Sequence, residues 1–267
     1  MPSRFILSLG LGAALLGFAG QDALAANIVV DPANLDGWGF AEDNSGTTGA
    51  GSYVTGPATA PLGTGSAQLS VGDSASGEVL FNYNSAYTGL ALNSITALSY
   101  STYVDSNGDP DLAPALDFNV DPNAATSTYD GRLIFEPYYT GSSGSPIVQN
   151  QWQTWDAFGA TTGGWWFSNN TVFANCTQAN PCTWAQVMAF YPDLVTNENF
   201  GGLGFKVGGG WPAFTGNVDD LTLGIGATTT TFDFDPNPAA VPEPGTLAIV
   251  AVGLLGVVGI GLRRRAA

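Results

Sequence analysis

PALDFNVD, residues 114–121, alternates apolar and polar with a period of two. Leu116, Phe118 and Val120 fall on one side of an extended chain, and Asp117, Asn119 and Asp121 on the other. This is the pattern of a strand buried on one face and solvated on the other, as in an antiparallel sheet packed on a single side. GGLGFKV (201–207) repeats it, with Leu203, Phe205 and Val207 opposite Lys206. In both directions from these runs, further short runs are broken by Gly, Asn, Asp and Pro. AQLSV (67–71) and GEVLFNY (77–83) read as one strand pair, and ITALSYSTYV (95–104) with PALDFNVD as another. GRLIFEPYY (131–139), QWQTWDAF (151–158), NVDDLTLGI (217–225) and TTTTFDFD (228–235) follow, while residues 41–66, rich in Gly, Ser and Thr, read as loops. Roughly nine short strands at this spacing predict an all-β fold, an antiparallel β-sandwich of jelly-roll type, over residues 26–235.

One short helix interrupts the pattern. Thr183-Trp184-Ala185-Gln186 has the form of a capping box, with Thr183 as N-cap and Gln186 three residues on. The segment stops at Pro192, and Trp184, Val187, Met188 and Tyr191 recur at helical spacing, which pins one helix face onto a sheet end. Cys176 and Cys182 precede it; in an exported chain an even, close pair reads as a disulfide.

Composition narrows the function classes. The chain has 267 residues, 10% of them charged, 45% hydrophobic and 12% aromatic, with 36 glycines. That is a folded composition suited to strands and turns rather than helices. The formal net charge is −16. Of the 22 acidic residues only Asp22 and Glu243 lie outside 26–240, which leaves twenty there against two cations, Arg132 and Lys206. Nucleic acid and anionic membrane surfaces would repel such a domain. There is no histidine, which removes Ser–His–Asp and Cys–His catalysis and His-ligated zinc.

Three sets of residues could carry function. The first is aromatic. Trp152 and Trp155 are three apart and Trp165 and Trp166 adjacent, so on strands each pair diverges and one member leaves the core unless a loop covers it. With Tyr138 and with Trp211 in a glycine-rich loop, these rings either form a platform for sugar C–H faces or fill a wide core. The second is oxygen-rich: Asp105, Asn107, Asp109 and Asp111 alternate as in calcium loops, though Pro110 stands where the turn glycine belongs and Leu116 where the bidentate acid belongs. Asn217-Val218-Asp219-Asp220 is a second such candidate. A structural Ca²⁺ is one reading of each, and a polar hairpin the other. The third is the carboxylate set Asp130, Glu136 and Asp156, whose separation no motif fixes; a glycosidase would need two of them to face each other.

The two ends are sorting segments. Residues 1–25 form a signal peptide: Arg4, an apolar run from Phe5 to Phe18, then the small residues Ala23 and Ala25 flanking Leu24 at the cleavage point. Residues 236–245 are a linker containing Pro242-Glu243-Pro244. Thr246 to Leu262 is an uncharged run that as a helix would be about 25 Å long, near the lower limit for a membrane span. Residues 263–267 follow as a basic tail, and Arg263, Arg264 and Arg265 hold its end in the cytoplasm. The order of PEP, short span and arginine cluster resembles the PEP-CTERM sorting signal of Gram-negative bacteria; Gly245 departs mildly from its usual pattern. The resemblance implies signal peptidase and exosortase as processing partners, transient insertion in the inner membrane, cleavage near Pro242–Pro244, and a destination at the cell surface or beyond. It also implies a host that makes exopolysaccharide. LIFEPYY, WQTWDA, NPCTWAQV and NVDDLTLG are similar to a type of secreted bacterial β-sandwich domain to which no activity attaches. The expectation is an exported surface or matrix protein that binds exopolysaccharide or another glycan without catalysis. A purely structural or protein-binding matrix component is the alternative, and a glycan-cleaving enzyme the third reading.

Overall fold

The computed structural model describes residues 24–43, 48–105, 109–142 and 145–237. In chain order the first strands are β1 (Leu24–Val30), β2 (Trp38–Glu42), β3 (Ala50–Thr55), β4 (Gly65–Val71), β5 (Gly77–Asn82), β6 (Ile95–Val104) and β7 (Ala115–Asp121). They are followed by β8 (Arg132–Phe135), β9 (Trp152–Asp156), β10 (Trp165–Phe167), helix α1 (Trp184–Phe190), β11 (Val195–Thr196), β12 (Leu203–Gly208), β13 (Phe214–Ile225) and β14 (Thr228–Phe234). The strands form two sheets, and the fold is a β-sandwich with one α-helix among the described residues.

The first sheet is organised by β13, its longest strand. On one side β13 pairs antiparallel with β6, and β6 with β9. On the other side it forks: its first half, Phe214–Val218, pairs with β4, and its second half, Leu221–Ile225, with β14. A register shift between Asp219 and Thr222 marks the fork, and Asp220 has φ +54° there. A bulge of this kind turns the strand enough for two neighbours to share one edge. Beyond β4 lies β3, and beyond β14 lies β1, which pairs parallel. The second sheet runs β10-β8-β7-β12-β5-β2, with β11 also on β7.

The facing sides bury the alternating residues. From the second sheet come Leu80, Leu116, Phe118, Leu133, Phe135 and Phe205, and from the first Leu69, Tyr100, Val218, Leu221, Phe232 and Phe234, all inaccessible to solvent. Trp38 joins the layers, with its ring 5.3 Å from Phe232, 4.9 Å from Phe234 and 6.1 Å from Phe205. Burying aromatic and aliphatic surface at such density is what drives two amphipathic sheets together. The capping box is formed, with the Thr183 hydroxyl accepting from the Gln186 N–H and the Gln186 side chain from the Thr183 N–H. Trp184 then seats α1 on the sandwich end, 5.1 Å from Trp165.

The structure corrects three sequence expectations. The runs at 67–71 and 77–83 are not partners, nor are those at 95–104 and 114–121: β4 and β6 belong to the first sheet, β5 and β7 to the second. Their connections cross between layers, so chain neighbours face each other rather than pair. Residues 41–66 are not all loop, since Ala50–Thr55 forms β3. The third correction is chemical. Every residue of β7 is buried, Asp117, Asn119 and Asp121 included. Their face is covered because Asn119 Nδ2 donates to the Phe200 and Gly201 carbonyls, Asp121 Oδ1 accepts from Asn197, and Arg132 lies across the strand.

Candidate functional site

The outward side of the second sheet gathers the domain's scarce cations. On β8, Leu133 and Phe135 point inward, so Arg132 and Ile134 point out, and Glu136 continues that side. On β12, Lys206 points out between inward Phe205 and Val207. Asp43, just past β2, reaches both: Arg132 grips it with two guanidinium nitrogens and Lys206 Nζ donates to its Oδ2. Arg132 Nε also donates to Asn119 Oδ1 at 3.0 Å, and its guanidinium lies 5.3 Å from the Phe81 ring centre. Burial alone would raise the Asp43 pKa, but the Arg132 bond and charge, aided by Lys206, hold it at about 2. Asp117 lies beneath, wholly buried, with Oδ2 3.8 Å from Arg132 Nη1 and neither oxygen hydrogen-bonded. Burial raises its pKa to about 7, against the lowering pull of Arg132 and Lys206.

Beside this ion cluster are two adjoining hollows, of about 200 and 160 Å³, which share Glu136, Gln178 and Trp211. The larger is edged by Asp111, Tyr138 and Tyr139, the smaller by Trp166 and Lys206. Pro137–Thr140 forms a single 3-10 turn after β8, which lifts Tyr138 and Tyr139 over the rim with their rings 5.2 Å apart. Gly208, Gly209 and Gly210 have φ of +89°, +75° and +99°, a run that only glycine adopts without strain. That loop delivers Trp211, whose ring rests edge-on 5.1 Å from Phe214. Gln178 belongs to the loop closed by Cys176 and Cys182, whose sulfurs are bonded with Cα atoms 5.1 Å apart. Backbone bonds between Cys182 and Trp165 and from Phe167 to Cys176 fasten that loop to β10, so the disulfide also places a cleft residue.

Glu136 is the chemically distinctive group of the cleft. Burial, then the charge of Asp117, raises its pKa to about 7, against the opposing effects of Trp166 and Lys206. The Trp166 indole N–H is turned toward this carboxyl, yet it is buried without closing a hydrogen bond of sound geometry. Near neutral pH Glu136 can therefore serve as donor or acceptor, which suits a hydroxyl-bearing ligand.

The residues expected to be functional are dispersed. Tyr138, Trp166 and Trp211 meet in the cleft. Trp165 is fully buried against Phe135 and Trp184 and belongs to the core. Trp155 is buried too, with its indole donating to Thr102 Oγ1 at 2.8 Å. Trp152 is half-buried on β9, in the other sheet, with its indole on the Pro57 carbonyl and its ring 5.7 Å from Tyr103. Trp155 and Trp165 thus leave the set of candidate sugar platforms, because their strands turn them inward. Asp156 edges a separate open hollow with Trp155 and Thr162, while Asp130 lines neither hollow of the cleft. Asp109 accepts from the Asp111 N–H, Asp111 stands at the cleft rim, and Asn107 lies outside the described residues. Among the described residues no group of three acidic or cysteine side chains is arranged to hold a metal ion. Composition and periodicity pointed to neither Tyr139 nor Gln178 in the cleft nor Asp43 beside it, and Lys206 was legible only as one of two cations.

Residues 240–265 match the PEP-CTERM protein-sorting motif. The motif implies export through the inner membrane and processing by an exosortase toward the cell surface. Pro242, Glu243, Pro244, Arg263 to Arg265, the expected membrane span and Ala23 lie outside the described residues. Ala25, at the expected cleavage point, stands in β1 opposite Thr229. Among the described residues no helix is long and apolar enough to cross a membrane. No curated protein matches the chain. A solved structure, from work on the promiscuous specificity of carbohydrate-binding modules of the β-sandwich superfamily, aligns with 14% identity and a TM-score of 0.35. The alignment covers 71% of this chain and 58% of that one.

Proposed function

We propose that the sandwich is a non-catalytic binding module for a neutral glycan met outside the cell, exopolysaccharide included. The observation that carries this reading is the pair of adjoining hollows in which Tyr138, Tyr139, Trp166 and Trp211 surround Glu136, Gln178 and Lys206. Aromatic faces accept the C–H side of a sugar ring, and convergent amide, carboxyl and ammonium groups bond its hydroxyls. The ion cluster supports a neutral ligand. Both cations are committed to Asp43, so an acidic sugar would compete with an internal carboxylate and with a net charge of −16. The carboxyl inventory supports binding without cleavage. Glu136 lines both hollows, Asp111 stands exposed at one rim, and Asp117 is enclosed beneath. A glycosidase needs two carboxyls on opposite sides of one glycosidic bond.

The test is tryptophan fluorescence of the purified protein titrated with neutral and acidic bacterial and plant polysaccharides. A saturable change with one neutral glycan class, without release of reducing ends, is the expected result. A flat response across the panel would reassign the domain to a structural or protein-binding role in the matrix. Release of reducing ends would make it an enzyme.

A further inference from the structure

At the fork of the first sheet, the sheet opposite the cleft, a second group of carboxylates gathers without any cation. Asp219 sits at the β13 bulge, buried, with Oδ2 accepting from the Leu62 N–H at 2.9 Å and Oδ1 from the Phe234 N–H at 3.0 Å. Asp233 and Asp235 come from the end of β14. Asp235 Oδ2 accepts from the N–H and hydroxyl of Thr64, and Oδ1 from the Asn237 N–H. Asp233 is 6% exposed, and its Oδ1 is buried with no hydrogen-bond partner. Arg132 and Lys206, the only cations between residues 26 and 240, are both bound to Asp43.

The turn opposite these carboxylates is built to let them converge. Gly63 has φ +54°, and a β-carbon there would meet Asp235 Oδ2 at 2.4 Å and the two oxygens of Asp233 at 2.8 and 3.1 Å. Three carboxylate oxygens from two side chains thus crowd against the Cα of Gly63, where any side chain would collide with them. Two carboxylates so close repel each other, and one of them carries an oxygen that nothing in the protein satisfies. Burying such a group costs free energy unless a proton or a cation neutralises it.

We propose that Asp233 and Asp235, closed over by the Gly63 turn, form a structural calcium site. The donor set is hard oxygen throughout, as Ca²⁺ prefers, and Ca²⁺ tolerates the irregular shell that a turn and two aspartates provide. Solvent completes the 6–8 ligands that Ca²⁺ takes. The ion ties the loop before β4 to the end of β14, just ahead of the segment that leads to the sorting motif. The site is independent of the cleft and of any glycan it binds.

Thermal unfolding of the purified protein after EGTA treatment tests this, with CaCl₂, MgCl₂ or NaCl added back at equal ionic strength. Calcium a hundredfold above its Kd raises the melting temperature by roughly 5–10 °C, since a ligand that binds only the folded state stabilises it by mass action. Magnesium, which demands a tighter octahedron, gives less than half of that rise. Asp233→Asn, an isosteric change, removes the calcium response while melting no lower than the wild type in EGTA. Gly63→Ala keeps both carboxylates but forces their oxygens out of position, and also loses the response. An equal rise with NaCl or MgCl₂ overturns the proposal, as does an unchanged calcium response in Asp233→Asn or no response at 10 mM CaCl₂.

Discussion

Asp117 and Asp233 are both aspartates buried in a sheet, and their surroundings differ in one respect. Asp117 lies under Arg132 and within the field of Lys206, which answer part of its charge from inside the protein, although burial and Asp43 still raise its pKa to about 7. Asp233 has Asp235 and Asp220 as its charged neighbours, and their charges add to the effect of burial in raising its pKa to about 6. A domain with twenty acids and two bases has spent both bases on one sheet. The cleft beside them is consequently close to neutral, whereas the fork of the other sheet retains an uncompensated negative charge. The first arrangement suits an uncharged ligand and the second a metal cation. A uniformly acidic surface would have distinguished neither.

The largest expected effect comes from removing the internal compensation. Arg132→Met leaves Asp43 with Lys206 alone, deprives Asn119 of its donor and strips Asp117 of its nearest cation. Breaking one side of a buried pair costs about 3–5 kcal/mol, and urea denaturation at pH 7.5 should show a loss of that order. Adding Asp43→Asn should recover part of it, because the carboxylate left behind is then neutral. A loss under about 1 kcal/mol would mean that the cluster behaves as an exposed surface bridge and that the contrast with Asp233 is empty.

A second effect, opposite in sign to ordinary acid denaturation, is expected from pH. Unfolded carboxyls titrate near 4. In the folded protein Asp117, Glu136, Glu78 and Asp219 keep their protons up to about pH 7, each chiefly through burial, and Asp233 up to about 6. Between about pH 4 and 7 the folded state therefore holds more protons than the unfolded one, and stability falls as pH rises. Asp43 works the other way, since its carboxyl stays ionised down to about pH 2 in the fold, so its contribution is lost below about pH 4. Melting temperatures at pH 4.5, 6 and 8 should decline in that order. Asp117→Asn should flatten the decline through loss of one titrating group, and calcium should flatten the Asp233 share of it. Stability that climbs from pH 4.5 to 8 would contradict both.

Much of the fold was legible because strand faces and local caps are short-range properties. Leu203, Phe205 and Val207 point inward as their alternation requires, and Thr183 with Gln186 closes its box across three residues. Pairing was not legible, because alternation specifies the buried face of a strand and not its neighbour. The crossings after β4 and after β6 thus went unread. β3, with sequence AGSYVT, is held by main-chain bonds to β4 rather than by an apolar stripe of its own. The cleft was half visible. Tyr138, Trp166 and Trp211 stood out as aromatics. Asp43 meets Arg132 across 89 positions, and no spacing rule spans such a distance. Gln178 could have been suspected only by asking what the Cys176–Cys182 loop presents. The outer face of β7 was misread because polar residues were equated with solvent, whereas Asn119 and Asp121 are buried by partners that satisfy them.

The smallest effect on stability should be the most specific for function. Tyr138 is 41% exposed and its ring touches Tyr139 at the cleft rim. Tyr138→Ala should therefore change stability by no more than about 0.5 kcal/mol. One stacking ring contributes roughly 0.5–1.5 kcal/mol, so the same change should weaken glycan binding about three- to tenfold. Trp152→Ala is the matched control. It removes a larger, half-buried ring from β9 and frees the Pro57 carbonyl, so it should cost more stability while leaving affinity unchanged. If affinity follows Trp152 instead, the sugar lies along the first sheet. The cleft would then be a consequence of how Arg132 and Lys206 are neutralised, and the electrostatic difference between the two sheets would carry no information about the ligand.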